Sequence, residues 1–285
     1  MIAAFDGGCF NSSLDPVTYV NGLRVLAIKA EPPEVPAGAT ATVTALAIDT
    51  DGDPITMAWS QCLDPPLSSS AINPDCTTMS GADYLIPFGA GLSVMTTMPM
   101  VNPFMLGRPD TSGGLYLPLI GRASAGPTSL TATYLLRLNL GLPANNNPVV
   151  AGVFQVLGGT DGGTTDVVPV DDAHPLVAHA GDQITLRVTF MPGSAESYSI
   201  YDGNPATTPP RDVTETLSAS WFSTAGTFEG AASGADVPDT ILHLDQARNG
   251  PKVHLPASGG TIDLWVVGRD ERGGTDYLHR TLQFE

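Results

Sequence analysis

From Thr40 the chain alternates between polar and apolar positions. Thr40, Thr42 and Thr44 are interleaved with Ala41, Val43 and Ala45, and a period of two predicts a β-strand with one face buried. The run Asp49-Thr50-Asp51-Gly52-Asp53-Pro54 is a turn by composition, and Ile55 to Trp59 reads as the returning strand. An earlier apolar run, Leu23 to Ile28, is followed by Pro32, Pro33 and Pro36, which suit a turn after an edge strand. Residues 10–21 read as a tether. No stretch keeps a 3.6-residue period over four turns, so little helix is expected.

The same layout returns further on. Ala180-Gly181-Asp182 precedes a strand in which Ile184, Leu186, Val188 and Phe190 alternate with polar residues, as Ala37-Gly38 precedes the threonine strand. A strand through Trp221 then parallels the one through Trp59. Two copies with one core tryptophan each predict an all-β chain of two tandem immunoglobulin-like sandwiches with long loops. The length of 285 residues agrees with two domains. The polar run Pro143 to Pro148 marks the junction. The expected division is a tether over 1–21, a first domain over 22–144 with an apolar insert over 82–127, and a second domain over 145–285.

The chain closes on a hairpin. Ile262, Leu264 and Val266 share one face, Arg269 to Gly274 form a polar Gly-Gly loop, and Leu278, Leu282 and Phe284 return. Trp265 and Val267 lie on the opposite face, so both faces are apolar. Packing between domains is the preferred explanation, ahead of burial by a partner on Trp265.

Charge narrows the function classes. Acids outnumber bases 29 to 12, for a net charge of −17. That excludes a general phosphate-backbone binder, so no nucleic acid is expected, and it disfavours electrostatic docking on anionic lipid. No apolar run is long enough for a membrane-spanning helix.

The cysteines are Cys9, Cys62 and Cys76. Cys62 and Cys76 bracket a stiff loop holding Pro65, Pro66 and Pro74. A bridge there is expected, stabilising by about 3 kcal/mol and implying an oxidising compartment. Cys9 follows Asp6-Gly7-Gly8 and precedes the polar Asn11-Ser12-Ser13. Small residues before a Cys and a polar tether after it resemble the end of a bacterial lipoprotein signal, with Asp6 where that family prefers Leu. The resemblance implies that Cys9 carries acyl chains and is the membrane anchor.

Arg24 to Ile28 with Pro32-Pro33-Glu34-Val35, Glu196-Ser197-Tyr198, Ser220 to Phe228 and Leu264 to Gly274 resemble a group of two-domain lipoproteins of myxobacteria and their relatives. The resemblance covers roughly 22–62 and 145–285. It implies a sandwich fold and an exported, lipid-anchored protein at the outer membrane, on its periplasmic or cell-surface face, and no reaction. Residues 43–59 resemble the repeats of cadherin-like and polycystic-kidney-disease adhesion modules.

Candidate chemistry is sparse. Asp49, Asp51 and Asp53 offer three carboxylates in five residues, and hard cations take oxygen ligands on a turn, so calcium is the candidate ion and no other cofactor is expected. The competing reading is a turn whose Asp side chains bond local N–H groups. Asp171, Asp172, His174 and His179 could ligate metal, but a solvated loop is preferred. His243, His254 and His279 are scattered. Arg108 to Gly114 faintly resembles a serine-protease Ser loop, without a matching His segment, and neither a Gly-x-Ser-x-Gly elbow nor a phosphate loop is present. The chain is read as not an enzyme.

The stretch 84–106 is apolar and methionine-rich, and Pro87, Pro99 and Pro103 bar a long helix. Met95, Met98, Met100, Phe104 and Met105 are candidate partner-binding residues, because flexible Met side chains fit irregular surfaces. The reading is a non-catalytic envelope lipoprotein acting as a structural or interaction subunit with other envelope proteins. The alternative is a standalone adhesion or glycan-binding module, stiffened by calcium, with Tyr198, Tyr201 and Tyr277 as candidate aromatics.

Overall fold

The computed structural model describes residues 17–62, 76, 85–100, 115–139, 143–158, 166–200, 209, 211–245 and 253–285. Every element with described bounds is a strand. In the first half these are β1 (Leu23–Glu31), β2 (Glu34–Val35), β3 (Thr40–Asp49), β4 (Thr56–Cys62), β5 (Leu85–Ala90), β6 (Ser93–Thr97), β7 (Tyr116–Ala125) and β8 (Thr128–Leu138). They form two sheets, β1-β3-β6 and β2-β8-β7-β4-β5. The chain changes sheet between β1 and β2, through the cis Glu31–Pro32 peptide, and β2 then pairs with β8 in parallel.

The second half repeats the plan. It comprises β9 (Val150–Leu157), β10 (Asp166–Pro169), β11 (Val177–Ala178), β12 (Gln183–Phe190), β13 (Ser197–Ile200), β14 (Arg211–Thr214), β15 (Ser218–Ser223), β16 (Thr227–Phe228), β17 (Ala232–Gly234), β18 (Asp239–His243), β19 (Thr261–Arg269) and β20 (Thr275–Phe284). Its sheets are β10-β9-β12-β18-β16 and β11-β20-β19-β15-β17, and β11 pairs with β20 in parallel, as β2 does with β8. The added β13–β14 hairpin stands where the first sandwich has only the β3–β4 turn. This is an all-β chain of two immunoglobulin-like sandwiches.

Each sandwich closes on its tryptophan. Trp59 on β4 and Trp221 on β15 are almost wholly buried. Each indole N–H finds an acceptor 2.9 Å away, the Gly91 carbonyl for Trp59 and Ser233 Oγ for Trp221, as a buried indole requires. Gly38 and Gly181, which turn the chain into β3 and β12, both take positive φ, 78° and 95°. The bridge between Cys62 and Cys76 is formed, with Cα atoms 5.9 Å apart, packed on Ile120.

Two expected boundaries need correction. Residues 82–127 are not an insert: β5, β6 and β7 lie within them, and β7 is paired on both sides, by β4 and β8. Leu117, Pro118, Leu119 and Ile120 are consecutive buried residues, so this strand faces apolar surroundings on both sides and shows no alternation. The described end of the expected tether, residues 17–21, is not free either. Val20 N–H donates to the Ser223 carbonyl at 2.8 Å, Ser223 N–H donates to the Thr18 carbonyl at 2.9 Å, and Tyr19 stacks on His254. The segment is laid along β15 with Thr18 and Val20 buried.

Candidate functional site

The two sandwiches meet face to face. By pairing register, Phe222, Trp265 and His279 share one face of the second sandwich, beside Val267 and Tyr277. Phe222, Trp265, Val267 and Tyr277 pack on Leu26, Ala27, Leu46 and Ile48 of β1 and β3, with Val20 at the edge. Leu26 sits at a register shift in β1 that breaks the alternation and turns it and Ala27 toward the second sandwich. Trp265, also a candidate partner-binding residue, therefore stands in the junction, where its ring is covered by this chain itself.

Beside this apolar patch lies a buried polar hub. Arg272, on the β19–β20 turn, is only 4% exposed in its side chain and reaches three carboxylates. Its NH2 lies 2.9 Å from Glu196 and its Nε donates to Glu215, while NH1 is 3.7 Å from Glu34 on β2 of the other sandwich. The guanidinium also lies 4.7 Å from the centre of the Tyr198 ring. Glu34 further accepts the Asn145 N–H at 2.8 Å and faces Arg137 at 3.4 Å. Asp270 accepts the N–H groups of Arg272 and Gly274, and the Asn145 side-chain amide. Burial raises the Glu215 carboxyl above its ordinary value, and the Arg272 hydrogen bond opposes that. Burial, then the Glu271 hydrogen bond, pushes the Tyr198 phenol up to about 12.

The expected linker is part of this hub. Asn145 is buried, Asn146 bonds Glu196, and Asn147 bonds Ala30, Glu31 and Thr275 across the junction. Lys29 pairs with Asp276 at 3.1 Å to close the far side. The polar run marks the junction, and there its three asparagines bond backbone and carboxylate groups of both halves, Asn145 from a buried position.

A cleft of about 570 Å³ opens next to the hub, between β1 and β8 under the β19–β20 turn. Its polar groups are already engaged. Arg269 donates to Ser220 Oγ and the Leu26 carbonyl, and burial lowers its pKa. The Tyr134 hydroxyl donates to the Gly273 carbonyl, and burial raises its pKa well above the ordinary value, as does Asp270.

The exposed apolar surface lies at the opposite edge of the first sandwich. Met95 is 72% and Met100 83% exposed, with Ile86 and Leu92 also open. Met95 and Met100 flank a hollow shared by Gly38, Gln61, Phe88 and Thr97. Met98 is corrected from the docking set: it is wholly buried in the first core, and its N–H and carbonyl pair with Ala39 and Gly38. The edge strand alternates, so of its neighbouring methionines one face takes Met95 outward and the core takes Met98. Phe104 and Met105 lie outside the described residues, as do Cys9 and Arg108 to Gly114.

The remaining expected sites do not assemble. Asp49 accepts the Asp53 N–H at 2.8 Å, Asp51 lies against Gly22 and Asp53 against Gly126. Asp49 thus serves the turn, and among the described residues no group of three acidic, His or Cys side chains stands close enough to hold a metal ion. A thermal melt in millimolar calcium should match one in chelator; a raised midpoint with calcium would place the ion on this turn after all. His174, His179, His243 and His279 each pair with an aspartate at 2.8–3.3 Å. Tyr198 and Tyr277 are committed to the junction, and Tyr201 lies outside the described residues.

No protein family matches the chain, and no curated protein does. Solved structures align over most of its length. A chimeric titin Z1Z2 carrying a decorin peptide is 14% identical, with 92% of this chain and 98% of that one covered and a TM-score of 0.19. Dimeric latent PorU from Porphyromonas gingivalis is 7% identical over 93% of this chain and 24% of its own, with a TM-score of 0.22. Cadherin domains 1–4 of protocadherin gamma B7 are 9% identical over 90% and 76%, with a TM-score of 0.16. At these scores none of them carries an argument. The immunoglobulin-like assignment rests on the strand order and the two buried tryptophans.

Arg272 is the functional residue that sequence reasoning passed over. It sits in a polar Gly-Gly loop that reads as an exposed turn. A signal was present: Glu34, Glu196 and Glu215 each fall at or beside an element end, and such acids need a cation if buried.

Proposed function

We propose that this chain is a non-catalytic interaction subunit of a cell envelope. In this reading the two sandwiches act as one body, and the open β5–β6 edge of the first is what it offers to another protein. The observation that supports it most is the contrast between two apolar surfaces. The one around Trp265 is covered by the chain itself, while Met95 and Met100 remain exposed on a folded edge. The buried bridge between Cys62 and Cys76 suits an oxidising compartment. The resemblance to two-domain lipoproteins of myxobacteria supplies the rest of the reading: export, an acyl anchor at Cys9, attachment to the membrane by that anchor alone, and other envelope proteins as partners.

The test is mild detergent extraction of the native membrane, capture of the tagged full chain, and mass spectrometry of its N-terminus and co-purifying chains. Stoichiometric partners and an acylated Cys9 are expected. A lone chain with an unmodified Cys9 would remove both anchor and assembly.

A further inference from the structure

The edge that carries Met95 is built for strand addition. Among the described strands, β6 pairs with β3 alone. Leu92 accepts the Ala45 N–H, and Met98 exchanges hydrogen bonds with Ala39 and Gly38, so the even-numbered residues direct their backbone groups to β3. The alternation of an antiparallel ladder then turns the N–H and C=O groups of Ser93, Met95 and Thr97 away from β3, toward the open edge. Of these, the Thr97 carbonyl accepts from Gln61 Nε2 at 3.0 Å, which leaves it a second lone pair. No described group bonds the other outward backbone groups.

Natural edge strands are commonly protected by charge, most often by Lys. This one is not. Between Asp83 and Arg108 the sequence holds no Asp, Glu, Lys, Arg or His, in a chain of net charge −17. The neutral edge is thus the place where two copies of so acidic a chain can touch without setting like charges against each other.

We propose that β6 pairs antiparallel with β6 of a second copy, about a twofold axis through Met95. The proposal rests on the docking reading above and names the occupant of that edge. Around such an axis Met95 faces its own mate, Ser93 faces Thr97, and each pair exchanges both backbone hydrogen bonds. The contact is isologous and closes at the dimer. Met95 side chains stack on one outer face, flanked by the hydroxyls of Ser93 and Thr97, and Met100 extends the apolar border.

Self-pairing of two acidic bodies has a particular salt dependence. Repulsion between the remaining surfaces is screened as the Debye length shrinks from about 14 Å at 0.05 M to about 4 Å at 0.5 M salt. The dimer should therefore strengthen with salt, whereas a basic partner would bind more weakly.

Sedimentation equilibrium of the full chain over a concentration series, at low and high salt, is the test. A monomer–dimer equilibrium that shifts toward dimer at high salt is expected. Met95→Lys places two like charges at the axis. Met95→Pro removes an outward N–H and leaves the β3 ladder untouched. Both should be monomeric where the parent is mostly dimer, with melting midpoints close to the parent's, while Val237→Lys, at an exposed site elsewhere, should dimerise as the parent does. A parent that stays monomeric at every concentration and salt, or a dimer indifferent to both Met95 substitutions, overturns the proposal. If the monomer still captures a native partner that Met95→Lys abolishes, the occupant is foreign and the docking reading stands. If that substitution changes no co-purifying chain either, both fail.

Discussion

Arg272→Met should lower the melting midpoint at neutral pH by on the order of 10 °C. Removing the cation leaves Glu34 and Glu215 buried, each without its Arg272 contact, and uncompensated buried charge costs about 3–5 kcal/mol. In a chain of this size each kcal/mol moves the midpoint by about 2–4 °C. Methionine keeps the stem volume, so the loss reports charge and hydrogen bonding ahead of packing. The effect has a sign in pH. Glu215 has its carboxyl raised in the folded state, so its neutral form is the one the fold prefers. Stability tied to that preference is fully present below the ordinary value of 4.5 and is lost as pH rises through the raised one. Without Arg272 to oppose it the raise is larger. The gap between variant and parent should thus be widest at neutral pH and narrow as pH falls toward the ordinary carboxyl value of 4.5. Melts across that range check it, and a variant within a degree or two of the parent at neutral pH would show that the hub is solvated.

Trp265→Ala should uncouple the two halves. The side chain is buried among Leu26, Ala27, Leu46 and Ile48, with His279 stacked on its ring at 5.1 Å. Truncating a buried aromatic costs about 3–5 kcal/mol, part of it the cavity left behind. Neither sandwich core contains Trp265, since those close on Trp59 and Trp221. The expected calorimetric trace is therefore a parent that melts in one transition and a variant that melts in two. Trp265→Phe, which refills most of the space, should keep one transition at a modestly lower midpoint. A single unshifted transition for the alanine variant would mean that the coupling of the halves does not depend on Trp265.

These two residues differ in how they could be read from the chain. Trp265 was legible. It alternates out of phase with Ile262, Leu264 and Val266, and an apolar residue on the second face of a hairpin needs cover. Which cover it receives was not legible, because the register shift at Leu26 is a tertiary feature. Arg272 was hidden by its context. Local composition rates a Gly-rich polar turn as exposed, and only the docking of the first sandwich onto it removes the water. Asp49, Asp51 and Asp53, the candidate calcium ligands, do not converge among the described residues. Spacing along a turn says nothing about direction, and the side chains point apart.

Strand β7 shows another limit. Period two reveals a strand with one wet face, as β3 has, but a strand sandwiched between two paired neighbours and covered on both faces gives a continuous apolar run. Leu117 to Ile120 therefore looked like an insert when they were the centre of a sheet. Met95 and Met98 were indistinguishable by composition and three residues apart, and the ladder to β3 sends one to solvent and the other to the core.

Local chemistry alone determined the all-β class, the duplicated plan, the two core tryptophans and the bridge between Cys62 and Cys76. Each follows from alternation, turn residues or a short stiff loop, which act over a few residues or a single repeat. Tertiary structure decided the rest: that the halves lie face to face, that Asn145 in the link is buried, that Arg272 is a hub, and that Met95 stands on an open edge. Those properties depend on which surfaces exclude water from one another, and burial between segments far apart in the chain leaves no period in the sequence to reveal it.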